Sequence, residues 1–238
     1  MSLPKIEHPT FTLELISTGE KIKYRPFTVK EEKIILVAQA SNDINQVVDA
    51  MKQVIVNCVV EKDFNVEKLA TFDIEYLFIN LRAKSVSNVV EVILNDYEDK
   101  KNYNFTVDLD KIEIVRNPNH NRKINLYGDV GVVMRYPDYA IASKLLQIDE
   151  KAENITPLIE MMASCIEKVY QGDKLSTAGE DFTAEEAIEF INDLPVDAID
   201  KLKDFFDTFP KIEYTINYTN SLGNERSYTL SGISDFFT

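Results

Sequence analysis

Two histidines, His8 and His120, and two cysteines, Cys58 and Cys165, are the side chains of this 238-residue chain best suited to nucleophilic or metal chemistry. A Ser-His-Asp or Cys-His device needs its histidine held by a rigid scaffold. His8 lies near the start and His120 follows Asn-Pro-Asn in a loop, so both are expected in solvent. Each cysteine falls inside a run with helical periodicity and lacks a C-x-x-C partner, which predicts two small buried apolar side chains. With no H-E-x-x-H and no cysteine pair, zinc sites fail on ligand count. Gly128-Asp-Val-Gly131 comes nearest to a phosphate loop, but it has no third glycine, no Lys-Ser/Thr and no helix after it. It is expected to be a tight turn. Asp96-Tyr-Glu-Asp99 and Asp108-Leu-Asp110 bring carboxylates together as a calcium or magnesium site would, without the EF-hand spacing. Solvated acids at strand ends are the expectation. A carboxylate-bound metal at Asp108, Asp110 or Asp129 is the enzymatic alternative. Paired carboxylates for glycoside chemistry have no specificity among 40 acidic residues, and seven glycines are few for active-site loops. The sequence therefore predicts neither catalysis nor a cofactor.

The distribution of charge says more. The formal charge is −14, which argues against binding nucleic acid through a basic face. No uncharged apolar run approaches the ~18 residues that cross a bilayer, and Met1–Thr12 has no leader pattern. A soluble, reduced, cytoplasmic protein without membrane contact is expected, and the sequons at Asn104, Asn154 and Asn217 then carry no meaning. Between Glu180 and Asp207 ten acids face only Lys201 and Lys203, interleaved with Phe182, Phe190, Phe205, Phe206 and Phe209. Two readings stay open. The segment is either a helix pair with an aromatic core and solvated acids, or an acidic aromatic docking surface in which Glu186, Asp204, Phe205 and Phe206 meet a protein partner. Lys21, Lys23, Arg25, Lys30 and Lys33 form the opposite, basic cluster. It could pair within the fold, with a second copy or with another subunit.

The elements that would position these groups follow from period and punctuation. Thr10–Thr28 alternates as a β-hairpin around Ser17–Glu20, and Pro26 ends it. Thr28-Val-Lys-Glu31 has capping-box spacing ahead of a helical region that includes Ile34, Ile35, Val37 and Ala38 and is interrupted at Ser41–Asp43. Ile44–Val59 carries the strongest helical period. Phe64–Leu69, with Asn65 as cap, and Asp73–Lys84 predict two further helices. Val89–Leu94, Tyr103–Leu109, Lys111–Arg116, Lys123–Tyr127 and Val130–Met134 predict one small antiparallel sheet. Tyr139–Leu146 and Ile155–Tyr170 read as amphipathic helices, Gly172–Gly179 as a linker, and Thr183-Ala-Glu-Glu186 as a second capping box. Pro195 restarts a helix that Pro210 stops. Ile212–Leu230 is a second hairpin, followed by an apolar tail at Ile233, Phe236 and Phe237; the two terminal hairpins could pair into a single sheet. The fold class is α+β. The organisation is either 1–138 and 139–238 or one compact unit.

The run Ser17-Thr-Gly-Glu-Lys-Ile-Lys-Tyr-Arg-Pro-Phe-Thr-Val-Lys-Glu-Glu-Lys33 resembles the opening of the T-even-type bacteriophage baseplate protein family. Leu81–Val86, Val107–Glu113, Gly131–Pro137 and Asp204–Pro210 resemble later parts of it in the same order. Arg-Pro-Phe followed by Val-Lys-Glu-Glu-Lys is the most specific piece. The resemblance implies a non-enzymatic late protein that acts in assembly of the central baseplate hub, in the host cytoplasm or in the virion. Its implied partners are other tail or hub subunits or the tape-measure protein, with self-association as an addition. Arg25, Phe27 and Lys30 at the strand-to-helix corner join the acidic helices as expected docking residues, although for Pro26 and Phe27 fixing the corner itself is the favoured role. Replacing Arg25 and Lys30 by glutamate is expected to weaken assembly without unfolding the chain.

Overall fold

A computed structural model describes residues 6–41, 43–138, 140–141, 155–232 and 235. Among them are six α-helices and eleven strands, an α+β fold whose sheets are all antiparallel. In chain order these are β1 (Phe11–Glu14), β2 (Lys21–Tyr24), α1 (Val29–Ala40), α2 (Ile44–Cys58), α3 (Thr71–Ser85), β3 (Val89–Asn95), β4 (Asn102–Asp108), β5 (Glu113–Val115), β6 (Lys123–Tyr127), β7 (Val130–Met134), α4 (Thr156–Ser164), β8 (Ile166–Gln171), β9 (Lys174–Thr177), α5 (Ala184–Asn192), α6 (Val196–Thr208), β10 (Lys211–Thr219) and β11 (Glu225–Ser231). No described helix is long and apolar enough to cross a membrane. The predicted helix Tyr139–Leu146 lies, but for residues 140–141, outside the described residues, as does the tail at Ile233, Phe236 and Phe237.

The chain forms two compact units, one of residues 1–66, 72–115 and 211–238, the other of 67–71 and 116–210. In the first, β1 and β2 pair as predicted, with Leu13 opposite Ile22 and Phe11 opposite Tyr24. Gly19 takes φ +74 in the turn, a conformation that a side chain would strain. Asp73, fully buried in the first turn of α3, accepts the backbone N–H of Ile16 at 2.7 Å and of Ser17 at 3.2 Å, so the carboxylate fixes the exit of β1. α3 buries Ile74, Leu77, Phe78 and Leu81, the residues its period selects. The predicted helix at Phe64–Leu69 is only a 3-10 turn at Val66–Lys68.

Strand pairing departs from expectation in three places. The terminal hairpins do not share a sheet: β1–β2 stands alone, and β10 sits between β11 and β5. Nor is the middle third one sheet. β3–β4 forms its own hairpin, a 3-10 turn at Leu109–Lys111 breaks the chain after β4, and β5 leaves to pair with β10. Finally, Ile155–Tyr170 is not one helix. α4 ends at Ser164, whose hydroxyl donates to Glu160 O, and Ile166–Gln171 becomes the strand β8 between β7 and β9. The expected linker is the next strand: Gln171 pairs with Lys174 across a two-residue Gly-Asp loop in which Gly172 has φ +56.

The second unit is built on this four-stranded sheet, β6-β7-β8-β9. Leu126, Val132, Met134, Met162, Ile166, Ile191, Leu202 and Phe205 form its core. Burying each such side chain contributes about 1.5–3 kcal/mol. Gly131 on β7 lies under the Tyr170 ring, where a Cβ would come within 2.3 Å of Cζ and 2.4 Å of Ile124 O. The ring therefore needs glycine there.

Candidate functional site

The basic corner is built by the first hairpin and the cap of α1. Glu31, at the third position of α1, reaches back as the capping box requires: its carboxylate accepts the Thr28 backbone N–H at 2.9 Å and the Thr28 hydroxyl at 2.6 Å. Glu31 is only 2% exposed. Arg25 meets it at 3.2 Å and also donates to Asn57 O at 2.9 Å and Pro26 O at 2.9 Å. Burial alone would raise the Glu31 carboxyl; the donors from Thr28 and the Arg25 guanidinium overcome this and hold it at about 2. Phe27 is buried and its N–H donates to Ser85 Oγ at 2.8 Å. So the structure points Arg25 and Phe27 into the fold, while Lys30 is exposed.

On the acidic helices the aromatic and the charged residues part company. Phe205 is in the core and Phe206 is half-buried against it, their rings edge to face at 5.1 Å. Glu186 and Asp204 are exposed. Glu186 closes the second capping box, accepting the Thr183 N–H at 2.7 Å while its own N–H donates to Thr183 Oγ1 at 3.2 Å. The four candidates therefore do not form one surface: the acids face water and the rings hold the helix down.

His120 is not in solvent. Its Nδ1 lies 3.0 Å from Thr208 Oγ1 and its Nε2 2.9 Å from the Tyr136 hydroxyl, with the ring against Tyr136 and Phe205. Burial, then the Arg122 charge, pushes its pKa down. The loop sequence Asn-Pro-Asn carried no signal of these partners, which come from residues 16 and 88 positions away. Cys58 and Cys165 are buried, and burial pushes both thiols up, to about 11 and about 12, away from the thiolate that reactivity needs.

The turn acids are not simply solvated. Asp96 is buried, and its carboxylate accepts the Tyr218 hydroxyl at 2.7 Å, Arg226 Nε at 3.1 Å and the N–H of Glu98 at 2.9 Å. The Tyr218 donor is the largest reason that its pKa falls to about 2, against burial and with help from the backbone donors and Arg226. Glu98 accepts Asn220 Nδ2 at 2.7 Å and Asn224 Nδ2 at 2.9 Å. Asp99 accepts the Tyr103 hydroxyl at 2.6 Å and the Ser221 N–H at 3.0 Å. The β3–β4 turn thus clasps the β10–β11 turn, an arrangement set by residues more than a hundred positions apart. Asp108 and Asp110 likewise face donors: Asn88 Nδ2 reaches both at 3.1 Å and Lys84 Nζ reaches Asp110 at 3.1 Å. Among the described residues no three metal-ligating side chains converge.

The sequence matches the family described as T4 bacteriophage base plate protein over residues 8–238. The chain belongs to that family. No curated protein and no solved structure matches it. The two capping boxes, the clasp and the buried corner are thus features of a baseplate family member.

Proposed function

We infer that this baseplate-family chain is a non-enzymatic protein that acts in assembly of the central hub, in the host cytoplasm, by binding other tail subunits, hub or tape-measure proteins among them. The family match across residues 8–238 carries the reading. The chemistry of the turns supports it: Asp96, Asp108 and Asp110 face lysine, arginine, hydroxyl and amide donors. Lys30, Glu186 and Asp204, the exposed members of the candidate set, make the partner contacts. Arg25, Phe27, Phe205 and Phe206 hold the elements that present them.

The family's description names the base plate itself, which favours a second reading, a permanent subunit of the virion baseplate. Infection with a phage lacking the protein tests the first statement: baseplates should fail to form, and normal particles would refute it. Probing mature wild-type particles for the chain separates the two readings, because only the resident subunit is found there.

A further inference from the structure

α1 carries apolar residues where a surface helix should have none. On its inner side Ile34 and Ile35 are half-buried and Ala38 is buried. On its outer side Val29, Leu36 and Val37 are 66%, 57% and 72% exposed. Val29, Lys33, Leu36 and Ala40 are spaced four, three and four residues apart, so they line one stripe. A helix that is apolar on both sides belongs in an interior or under a partner. Lys33 is the charge on that stripe and Lys30 lies beside it, next to Val37, and among the described residues no ion pair joins either lysine to a carboxylate. Glu32 is half-buried on the flank away from Lys30.

The complementary surface is on the same chain. The solvent side of α6 carries Asp200, Asp204 and Asp207, spaced four and three apart, beside Val196, which is 83% exposed. Lys203 pairs with Asp200 at 3.5 Å, which leaves the second half of the stripe acidic. Two unmatched lysines on an apolar helix and an acid stripe with an exposed valine match in sign and in spacing. α1 belongs to one unit and α6 to the other, and association of two copies through these unlike faces would be of the heterologous kind.

We propose that the outer face of α1 docks on α6 of a second copy, with Lys30 and Lys33 against Asp204 and Asp207. This rests on the reading that these faces bind polypeptide, and names the partner. Sedimentation equilibrium of the full chain at physiological salt tests it. The wild type should associate with increasing concentration. Lys30→Glu/Lys33→Glu and Asp204→Lys/Asp207→Lys should each weaken association at least about tenfold, because like charges then meet. Mixing the two variants should restore it, since each supplies the face the other now needs. Circular dichroism should show both variants folded, as all four positions are exposed. A wild type that stays monomeric at about 0.1 mM overturns the proposal. So does association abolished by Leu36→Glu but indifferent to both charge reversals, which would mean α1 meeting α1. A monomeric chain whose Lys30→Glu/Lys33→Glu form still fails to support baseplates would sink self-docking while leaving the assembly function standing.

Discussion

α1 and α6 differ by one residue in length, yet they deploy their apolar residues in opposite ways. α6 turns Ala198, Leu202 and Phe205 into the second unit's core and leaves its aspartates in water. α1 buries a glutamate and an alanine and leaves three large aliphatic side chains outside. The comparison teaches that aromatics interleaved with acids in sequence need not share a surface with them. In α6 the phenylalanines are needed to hold the helix, and the acids alone are surface. On α1 the large aliphatics Val29, Leu36 and Val37 stay exposed among the described residues, which is the stronger mark of an interface.

The largest effect separates those two roles directly. Phe205→Ala empties part of a packed core and should lower stability by about 3–5 kcal/mol, read by urea denaturation. Leu36→Ala on α1 should change it by no more than about 0.5 kcal/mol. Equal losses would show that the α1 stripe is already covered within the chain, and the contrast between the helices would collapse.

Arg25 and Lys30 sharpen the comparison inside the basic corner. Treated as one patch, both should tolerate reversal. The structure separates them, because Arg25 neutralises a buried carboxylate whereas Lys30 points into solvent. Removing one partner of a buried pair leaves an uncompensated charge. Arg25 keeps 26% of its side chain exposed, so Arg25→Ala should destabilise by roughly 2–3 kcal/mol rather than the full buried-pair value. Lys30→Glu should leave the unfolding curve unmoved. A stable Arg25→Ala protein would return Arg25 to the docking surface.

How much of this was legible in sequence depended on range. Both capping boxes, the first hairpin, α2 and α3 follow from period and punctuation within a dozen residues. β8 was hidden because Ile166, Val169 and Tyr170 fit a helical period as well as a strand. The following hairpin is hidden because the glycines at 172 and 179 give the segment the composition of a linker, although Gly172-Asp173 is a two-residue turn. What joins distant segments left no local mark. Nothing near Asp96 announces Tyr218 or Arg226, and nothing near His120 announces Thr208. The docking candidates were legible as charge, but which side of each helix faces water is fixed only by packing.

Acid should act on the first unit through Glu31, Asp96 and Asp99, which all lie there and are all held below the ordinary carboxylate range. For Asp99 the Tyr103 hydroxyl is the leading cause, against burial and with donors from Lys101 and Ser221. A lowered folded-state pKa means stability that is fully present above the unfolded value, about 4, and lost as pH falls through the folded value, about 2 for Glu31 and Asp96. Melting temperature should therefore drop between about pH 4 and 2, and Glu31→Gln should be less stable at pH 7 but flatter across that window. Hydrogen exchange should show amides of α1 and of the clasped turns losing protection there. An unchanged slope in the variant would mean that the corner does not depend on the ionised carboxylate.

The smallest expected effect compares the two capping boxes. At Thr183 the cap is exposed: its hydroxyl accepts the Glu186 N–H, and water can replace that acceptor once the side chain is gone. Thr183→Ala should cost about 1 kcal/mol. At Thr28 the hydroxyl, besides its place in the capping box, donates to a carboxylate buried under the corner, where water is a poorer substitute. Thr28→Ala should cost nearer 2 kcal/mol, the upper end of the range for caps, and should raise the Glu31 pKa, so that the acid-induced loss begins at higher pH than in the wild type. Thermal denaturation at pH 7 and pH 3 checks both parts. If the two substitutions prove equal and neither shifts the acid limb, the Glu31 carboxylate does not need its hydroxyl donor, and the two boxes differ in exposure without differing in energy.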